Sequence, residues 1–398
     1  MAEWSKTQLS DILVDKGYIR GPFGSALKRG DMKENGVPVY EQQHAIYDSR
    51  CFRYYIDEQK FVEMKRFQVN TDDLIISCSG TVGKVSIIRD DDPKGIISQA
   101  LLLLRVDKNK ILPLYLKYFF SSRDGYNAIV SRSSGSVQVN IAKRDVIEQI
   151  PLMLPKIETQ RKIVGVLNSI DKKIDENERI NNNLEQQAQA VYYKMFSEVN
   201  TVPVELSSII DVRDGTHDSP KAQATGYYLI TSKHLLPFGV DKASANRISK
   251  ADFDKINERS LVETQDILMS MIGTIGLISY IPYETVDFAI KNVALFKTSH
   301  TPELAYYFLC YLKSEKTLQH IGKCLAGSTQ KYISLGELRK MPIYSPTTNE
   351  IREFNCLVKP MFEKIVSRTY ENALLAEMRD SLLPKLMSGE LDVSKIDI

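Results

Sequence analysis

The segment Asp73-Leu74-Ile75, followed by Gly80-Thr81-Val82-Gly83, returns 193 positions later as Asp266-Ile267-Leu268 and Gly273-Thr274-Ile275-Gly276. Gly135-Ser136-Val137-Gln138 returns as Gly327-Ser328-Thr329-Gln330 at a spacing of 192, and Pro155 to Arg161 returns as Pro346 to Arg352 at 191. Gly36 and His44 match Gly226 and His234 at 190. Spacings this constant across most of each half mean that one module is written twice. Two copies in one chain predict a pseudo-symmetric molecule with two equivalent surfaces. Such a molecule suits a target that is itself roughly two-fold, and duplex DNA is the commonest of that kind.

Each module opens with a mixed, loop-rich region; in the first, Gly17 to Val39 sets glycines and prolines among Arg20, Lys28 and Arg29. Short strand-like runs follow at Asp73 to Cys78, Val85 to Ile88 and Leu101 to Val106, with a helix over Leu114 to Ser121. Ser79-Gly80-Thr81-Val82-Gly83 reads as a tight hairpin turn that needs glycine's backbone freedom. The second module repeats this order from Val204 to Pro346, so both read as mixed α+β globules.

Between the globules the texture changes. From Ile157 to about Glu198 there is no proline, Gly165 is the only glycine, and a heptad pattern runs unbroken. Ile163, Leu167, Ile170, Ile174, Asn177, Asn181, Leu184, Ala188, Val191 and Met195 form one seam. Its C-terminal equivalent is Phe354, Val358, Met361, Ile365, Arg368, Asn372, Leu375, Arg379, Leu382 and Leu386. At about 1.5 Å per residue each helix is on the order of 60 Å long. Neither can bury its seam alone, which predicts an antiparallel pair acting as a rigid spacer with a globule at each end. Asn181 and Asn372 hold matching places, either bonding across the seam to fix register or standing as tolerated polar positions.

The fold class expected is therefore α+β: two pseudo-symmetric mixed α/β domains separated by two long antiparallel coiled-coil helices. The expected boundaries are a first domain at 1–154, a central helix at 155–199, a second domain at 200–345 and a C-terminal helix at 346–398.

Composition chiefly excludes. A formal charge of +2 neither demands nor forbids nucleic acid, because local surface charge matters more than the total. Five scattered cysteines (Cys51, Cys78, Cys310, Cys324, Cys356) without a C-x-x-C pair argue against a disulfide framework and a zinc site, and fit a reducing cytosol. The N-terminus lacks a signal peptide's apolar core, and Ala100 to Leu104, the longest apolar run, is too short to cross a bilayer. A cytoplasmic location is expected, without membrane association.

Catalytic signatures are missing as well. Gly83-Lys84 is not a phosphate loop, because Cys78 stands where the first glycine belongs and Val85 replaces the metal-binding hydroxyl. No H-E-x-x-H spacing, no Asn-Pro-Pro-aromatic run and no G-x-G-x-x-G after a strand occurs. Acidic runs such as Asp72-Asp73 and Asp90 to Asp92 read as solvated turns. No catalytic residue, no metal ligand and no cofactor of its own are expected of this chain, which reads as a binder.

Two variable globules, each followed by a long helix, resemble the DNA-specificity subunit of Type I restriction–modification enzymes over nearly the whole chain. The most specific matches are the helix start Pro155, Glu158, Gln160, Arg161, Ile163, Leu167, Asp171 and Ile174, and the run Gly135 to Ile141. In the second half they are Gly327 to Gln330, Asp214-Gly215-Thr216-His217 and Leu229 to His234. The second helix departs from the pattern: it starts Asn349-Glu350-Ile351-Arg352, with the glutamate displaced and the glutamine missing, which weakens a contact there. The resemblance implies that each globule reads one half of a split, asymmetric site in double-stranded DNA. It implies that the helices set the unread spacer and dock two modification (methyltransferase) subunits. Those subunits would bring S-adenosylmethionine and methylate adenine, with translocating restriction subunits as further partners. The competing expectation is a non-catalytic pseudo-dimeric coiled-coil scaffold that binds proteins rather than DNA.

The side chains expected at DNA follow from what base edges and phosphates accept. Gln42, Gln43 and His44 sit where Thr231, Ser232, Lys233 and His234 sit in the second module. Different polar residues at equivalent places are what two heads reading different half-sites would show; the alternative is an ordinary surface loop. Ser79, Thr81, Lys84 and Thr274 lie within reach of phosphate from the Gly-Thr-x-Gly turns, whose glycines serve the hairpin itself. Gln138 and Gln330, after Ser136 and Ser328, are either DNA-proximal or bonded to their own backbone. Gln99 and Asn292 align as readers or as buried, satisfied amides. Lys28, Arg29, His217 and Lys331 complete the set. The doublets Tyr54-Tyr55, Tyr192-Tyr193, Tyr227-Tyr228 and Tyr306-Tyr307 read as core.

Overall fold

The computed structural model describes residues 4–23, 26–133, 139–196, 202–327 and 331–393. The chain divides into two compact units: Met1–Ile174 with Leu374–Ile398, and Asp175–Ala373. Each unit thus takes part of both long helices.

In unit 1 a four-stranded antiparallel sheet runs in the order Leu13–Arg20, Leu101–Val106, Leu74–Ser77, Val85–Ile87. Leu101–Val106 is the strand expected, and the other two expected runs are each trimmed at their ends. Side chains alternate across the sheet. Leu74, Ile76, Leu102 and Leu104 enter one core with Tyr115 and Leu116, while Ile75, Leu101 and Leu103 enter another with Tyr40 and Val69. Both faces are therefore covered, and these strands read as continuous apolar runs. A second sheet places Val37–Tyr40 between Tyr55–Ile56, antiparallel, and Ile96–Ile97, parallel. The strands Trp4–Gln8 and Pro151–Pro155 pair antiparallel.

Unit 2 repeats the plan. Its main sheet runs Val212–Asp214, Val293–Phe296, Ile267–Ser270, Ile278–Tyr280, and its second sheet sets Tyr227–Ile230 between Asn246–Ile248 and Phe288–Ile290. The same alternation sends Ile267, Met269, Ala294 and Phe296 to one core and Leu268, Val293 and Leu295 to the other. Even the special backbone angles recur. Asp72 and Gln265 lie at φ 72° and 71°, Gly36 and Gly226 at 130° and 128°, and Gly83 and Gly276 at 84° and 85°.

The expected helix near Leu114 is Pro113–Ser121, and a second, Arg123–Val130, starts at the Ser122 cap. Ala305–Lys313 and Glu315–Lys323, capped by Ser314, repeat this stepped pair in unit 2. The long helices span Ile157–Phe196 and Thr348–Ser388. Within unit 1 the beginning of the first packs with the end of the second: Ile163 and Leu167 share a core with Leu383 and Leu386, and Arg379 Nη1 donates to Asp171 at 3.0 Å. Within unit 2 the order is reversed, Ala188, Tyr192 and Phe196 meeting Phe354, Val358, Phe362 and Ile365. The helices are antiparallel in both units.

The seam differs from expectation in detail. Ile163, Leu167, Ile170, Phe354, Val358 and Ile365 are buried, but Ile174, Asn181, Leu184, Met361 and Leu375 are only half-buried. Near the globules the buried positions slip by one, to Tyr192, Phe196, Phe362 and Leu383 in place of Val191, Met195, Met361 and Leu382. A helix of 3.6 residues per turn drifts against a strict heptad, and wide aromatic side chains fill the space the drift opens. The amide that meets Asn372 is Asn177, not Asn181: its Nδ2 donates to Asn372 Oδ1 and to Glu371 Oε2, both at 2.8 Å. Antiparallel register sets Asn181 one turn further along, opposite Arg368, so equivalent residues of the repeat do not face each other.

Candidate nucleic-acid interface

The strands of each unit deliver their connecting loops to one rim. In unit 1, Val37–Tyr40 ends at Gln42 and Leu74–Ser77 ends at the 78–84 loop. Gln42 Oε1 accepts from the backbone N–H of Cys78 (3.1 Å) and Ser79 (2.8 Å), and Cys78 N donates to Ala100 O. Gly80 N donates to Val139 O, and Ser79 Oγ donates to Asn140 Oδ1 at 2.8 Å. Segments far apart in sequence thus meet, including the Gly-Thr-x-Gly loop and the stretch after Gly135. The loop is wider than a tight hairpin turn. Ser77 N–H donates to Lys84 O across it, and the buried Ser77 Oγ accepts from Lys84 N. Ser270 repeats that bond with Leu277 N at 2.8 Å.

Several expected readers are bonded within the fold. His44 is fully buried: its Nδ1 accepts from Glu41 N at 2.7 Å, its Nε2 donates to Cys51 O at 3.2 Å, and its ring stacks on Phe52. His234 is also buried and accepts from Thr231 N at 2.9 Å. Burial lowers both imidazoles below their ordinary value, and in His234 Lys233 adds to the effect. These histidines cap the turns on which their neighbours sit, so both rings lie inside the fold and not at the exposed rim where they were expected. Half-buried Gln42 spends its carbonyl on the loop, and Gln43 Nε2 donates to Cys51 O.

The exposed candidates are Lys28, Arg29, Thr81, Lys84 and Gln99 in unit 1, and Lys233, Thr274 and Lys331 in unit 2. Gln99 is therefore not a buried amide. Lys84 Nζ lies 4.9 Å from the Tyr126 ring centre. Ser79, Thr231 and Ser232 are half-buried. Ser136, Gln138, Ser328 and Gln330 lie outside the described residues.

Gly21 and Gly215 fix a further correspondence. Each donates to the first residue of the neighbouring strand, Leu101 or Val293, and a Cβ would stand 2.0 Å from Ser98 O or 2.3 Å from Ile290 O. Two residues on stand Phe23, 61% exposed, and His217, whose side chain is 66% exposed. Phe23 lies under the Arg20 guanidinium at 5.8 Å. His217 Nε2 donates to Asp214 Oδ2 at 3.1 Å, its Nδ1 lies 2.8 Å from Asn292 Oδ1, and Asp214 also accepts from Arg259. A cleft beside His217 is lined by Thr216 to Pro220 and by Asp252, Lys255 and Arg259 of the helix Lys250–Ser260. Sequence reasoning missed Phe23, Lys255 and Arg259. The matching glycines were the available signal for Phe23.

Among the described residues no group of three or more His, Cys, Asp or Glu could hold a metal ion. No helix there is long and apolar enough to cross a membrane. The arrangement offers donors, amides, cations and exposed rings on two similar rims, a chemistry of binding.

Comparison with known proteins agrees. The profile of the Type I restriction modification DNA specificity domain matches residues 1–186 and 199–354. The MjaIX specificity subunit of Methanocaldococcus jannaschii is 24% identical over 322 residues, covering 73% of this chain and 72% of its own. The MjaVIII specificity subunit of the same organism is 21% identical and covers 99% and 94%. The crystal structure of a Type I restriction–modification S subunit from M. genitalium superposes with a TM-score of 0.54 at 15% identity, covering 97% of this chain and 96% of that one. With its profile matched once in each half, this chain belongs to the Type I restriction–modification DNA specificity family.

Proposed function

We propose that this chain reads a split DNA site, each unit's rim recognising one half, and so directs chemistry that partner subunits perform. One observation carries the reading. A backbone frame repeated down to its positive φ angles presents different exposed side chains in the two units. A frame kept while its outward groups diverge is what two heads for two different sequences require. Exposed Lys28, Arg29, Lys84, Lys233, Lys255 and Lys331 supply phosphate contacts, and the amides and rings between them supply base contacts.

The partners expected are two methyltransferase subunits, which would bring S-adenosylmethionine to adenine, and translocating restriction subunits. The long helices each begin in one unit and continue into the other, so their length sets the gap between half-sites. Adding one heptad to both lengthens them by about 10 Å, roughly three base pairs.

The test is a genome-wide methylation map of cells expressing this chain with its methyltransferase. A methylated motif in two unequal halves around a fixed gap is expected. Methylation at one continuous short motif, or none from a soluble complex, overturns the reading in favour of a protein-binding scaffold. Binding to duplex DNA should weaken steeply with salt, as phosphate contacts do and a scaffold's would not.

A further inference from the structure

We propose that Asn292 reads an adenine in the half-site of unit 2, and that His217 and Asp214 position its amide to do so. This rests on the reading of unit 2 as a half-site reader. An amide side chain can turn over and present its donor and acceptor in either order. Pairing with adenine in the major groove needs the NH2 group on N7 and the carbonyl on the N6 amino group. In unit 2 that amide is held at one end. Asn292 Oδ1 lies 2.8 Å from His217 Nδ1, a contact that anchors one end of the amide, and Asn292 Nδ2 has no hydrogen-bond partner among the described residues. A carbonyl oxygen has a second lone pair, which remains for the adenine amino group.

The fixing extends inward. His217 Nε2 donates to Asp214, a buried carboxylate that Arg259 holds from its other side. Orientation therefore passes from Asp214 through the exposed imidazole to the amide. The main chain is pinned as well: Asn292 N donates to Thr216 O, and Asn292 sits at φ 54°. Glycine would serve that left-handed turn with less strain, and asparagine keeps the turn while adding a reading group. Among the described residues unit 1 has no such chain. Arg20 and Phe23 stand where Asp214 and His217 stand, so its half-site is an internal control.

The experiment is the methylation map repeated with three variants in the assembled enzyme. Asn292→Gly keeps the left-handed backbone and should lose preference at one adenine position of one half-site. Discrimination there should fall roughly 5- to 150-fold, the range of one bidentate contact. Asn292→Asp replaces the donor with an acceptor and should move that position toward cytosine, whose amino group donates. His217→Ala frees the amide to turn over and should relax the same position less. A merely structural role would lower methylation of the whole motif without changing base preference, and that result overturns the proposal. So does an unchanged motif, a change at a base other than adenine, or a change in both halves. If Asn292→Gly melts early, Asn292→Asp, which tolerates the same backbone, decides the matter. A wild-type map without a split motif fails earlier, refuting half-site reading itself.

Discussion

Unit 1 and unit 2 hold the same turn with the same glycine and end it in opposite chemistry. At Gly21 and Gly215 a Cβ would collide with a carbonyl oxygen, so both chains approach the neighbouring strand equally closely. Beyond that point unit 1 offers Phe23, an apolar ring beside a cation, and unit 2 offers His217, a polar ring tied to a carboxylate and an amide. A ring without donors can press on a thymine methyl or a sugar, whereas the unit 2 cluster can discriminate by hydrogen bonds. At this turn the divergence lies in what faces outward. Frame and reading surface answer to separate physical constraints, because the frame must satisfy its own buried groups whatever is read.

That separation is sharpest in the buried ion pairs beneath the rims. Asp73 pairs with Arg105 at 2.7 Å in unit 1 and Asp266 with Lys297 at 2.7 Å in unit 2. Arg105 remains one-third exposed, while Lys297 and Asp266 are both within 1% of full burial. Removing one partner of a buried pair strands the other. Lys297→Met should therefore cost about 3–5 kcal/mol, and Arg105→Met distinctly less, because water can reach its site. Urea unfolding of the full chain measures both. Equal losses would show that the two frames bury their charges alike, against the difference drawn here.

Much of this frame was legible in the sequence, for physical reasons. Doubly covered strands such as Leu101–Val106 read as apolar runs, and glycines at positive φ mark the same turns twice. The long helices show as heptads because seam burial imposes that period. What could not be read was which polar residues face inward. His44 and His234 look like surface readers in a polar cluster, but each is a buried cap whose bonds lie in turn geometry. The aromatic slip to Tyr192 and Phe362 was hidden because a heptad does not say where a helix meets a globule. Asn177 rather than Asn181 reaches Asn372 for a similar reason: the repeat gives equivalence, and packing alone gives register.

The two helix starts make a second comparison. Gln160 is buried: its Oε1 accepts from Leu112 N at 2.9 Å, and its Nε2 donates to Pro155 O at 2.9 Å and Lys110 O at 3.3 Å. The corresponding region of unit 2 places Ile351 in the core instead. Gln160→Ala should cost about 1–3 kcal/mol, since it leaves buried backbone groups unpaired. Amide hydrogen exchange at Leu112 should accelerate while unit 2 stays protected. A uniform acceleration through both units would break the assignment of this contact to unit 1 alone.

The histidine caps test what the units share. Burial lowers the folded value of both imidazoles, so the unfolded chain takes up protons first as pH falls. The stability this contributes is fully present above the ordinary value of about 6.5 and is lost as pH falls below it. Melting temperature should therefore drop between pH 7 and 5, and His44→Asn with His234→Asn should flatten that slope. A slope unchanged in the double variant would place its origin elsewhere.

The smallest effect probes how unit 2 starts its helix without the glutamine. Thr347 and Glu350 form a reciprocal cap: Thr347 N donates to Glu350 Oε2 at 2.7 Å, and Glu350 N donates to Thr347 Oγ1 at 3.3 Å. Tyr344 OH adds a bond to the same carboxylate at 2.9 Å. The backbone N–H of Thr347, with its hydroxyl, holds the Glu350 carboxyl below its ordinary value. The displaced glutamate thus replaces the missing contact, where the sequence had suggested a weakened start. Thr347→Ala should cost about 1 kcal/mol, less than Gln160→Ala because the cap lies at the surface and water can take over its bonds. The carboxylate's contribution is present above the ordinary glutamate value of 4.5 and is lost as pH falls through its lowered folded value. The gap between wild type and Thr347→Ala, read by urea unfolding, should therefore close in acid. A gap that persists at pH 3 would assign the start of this helix to Ile351 packing, and the two units would then share a single way of beginning their helices.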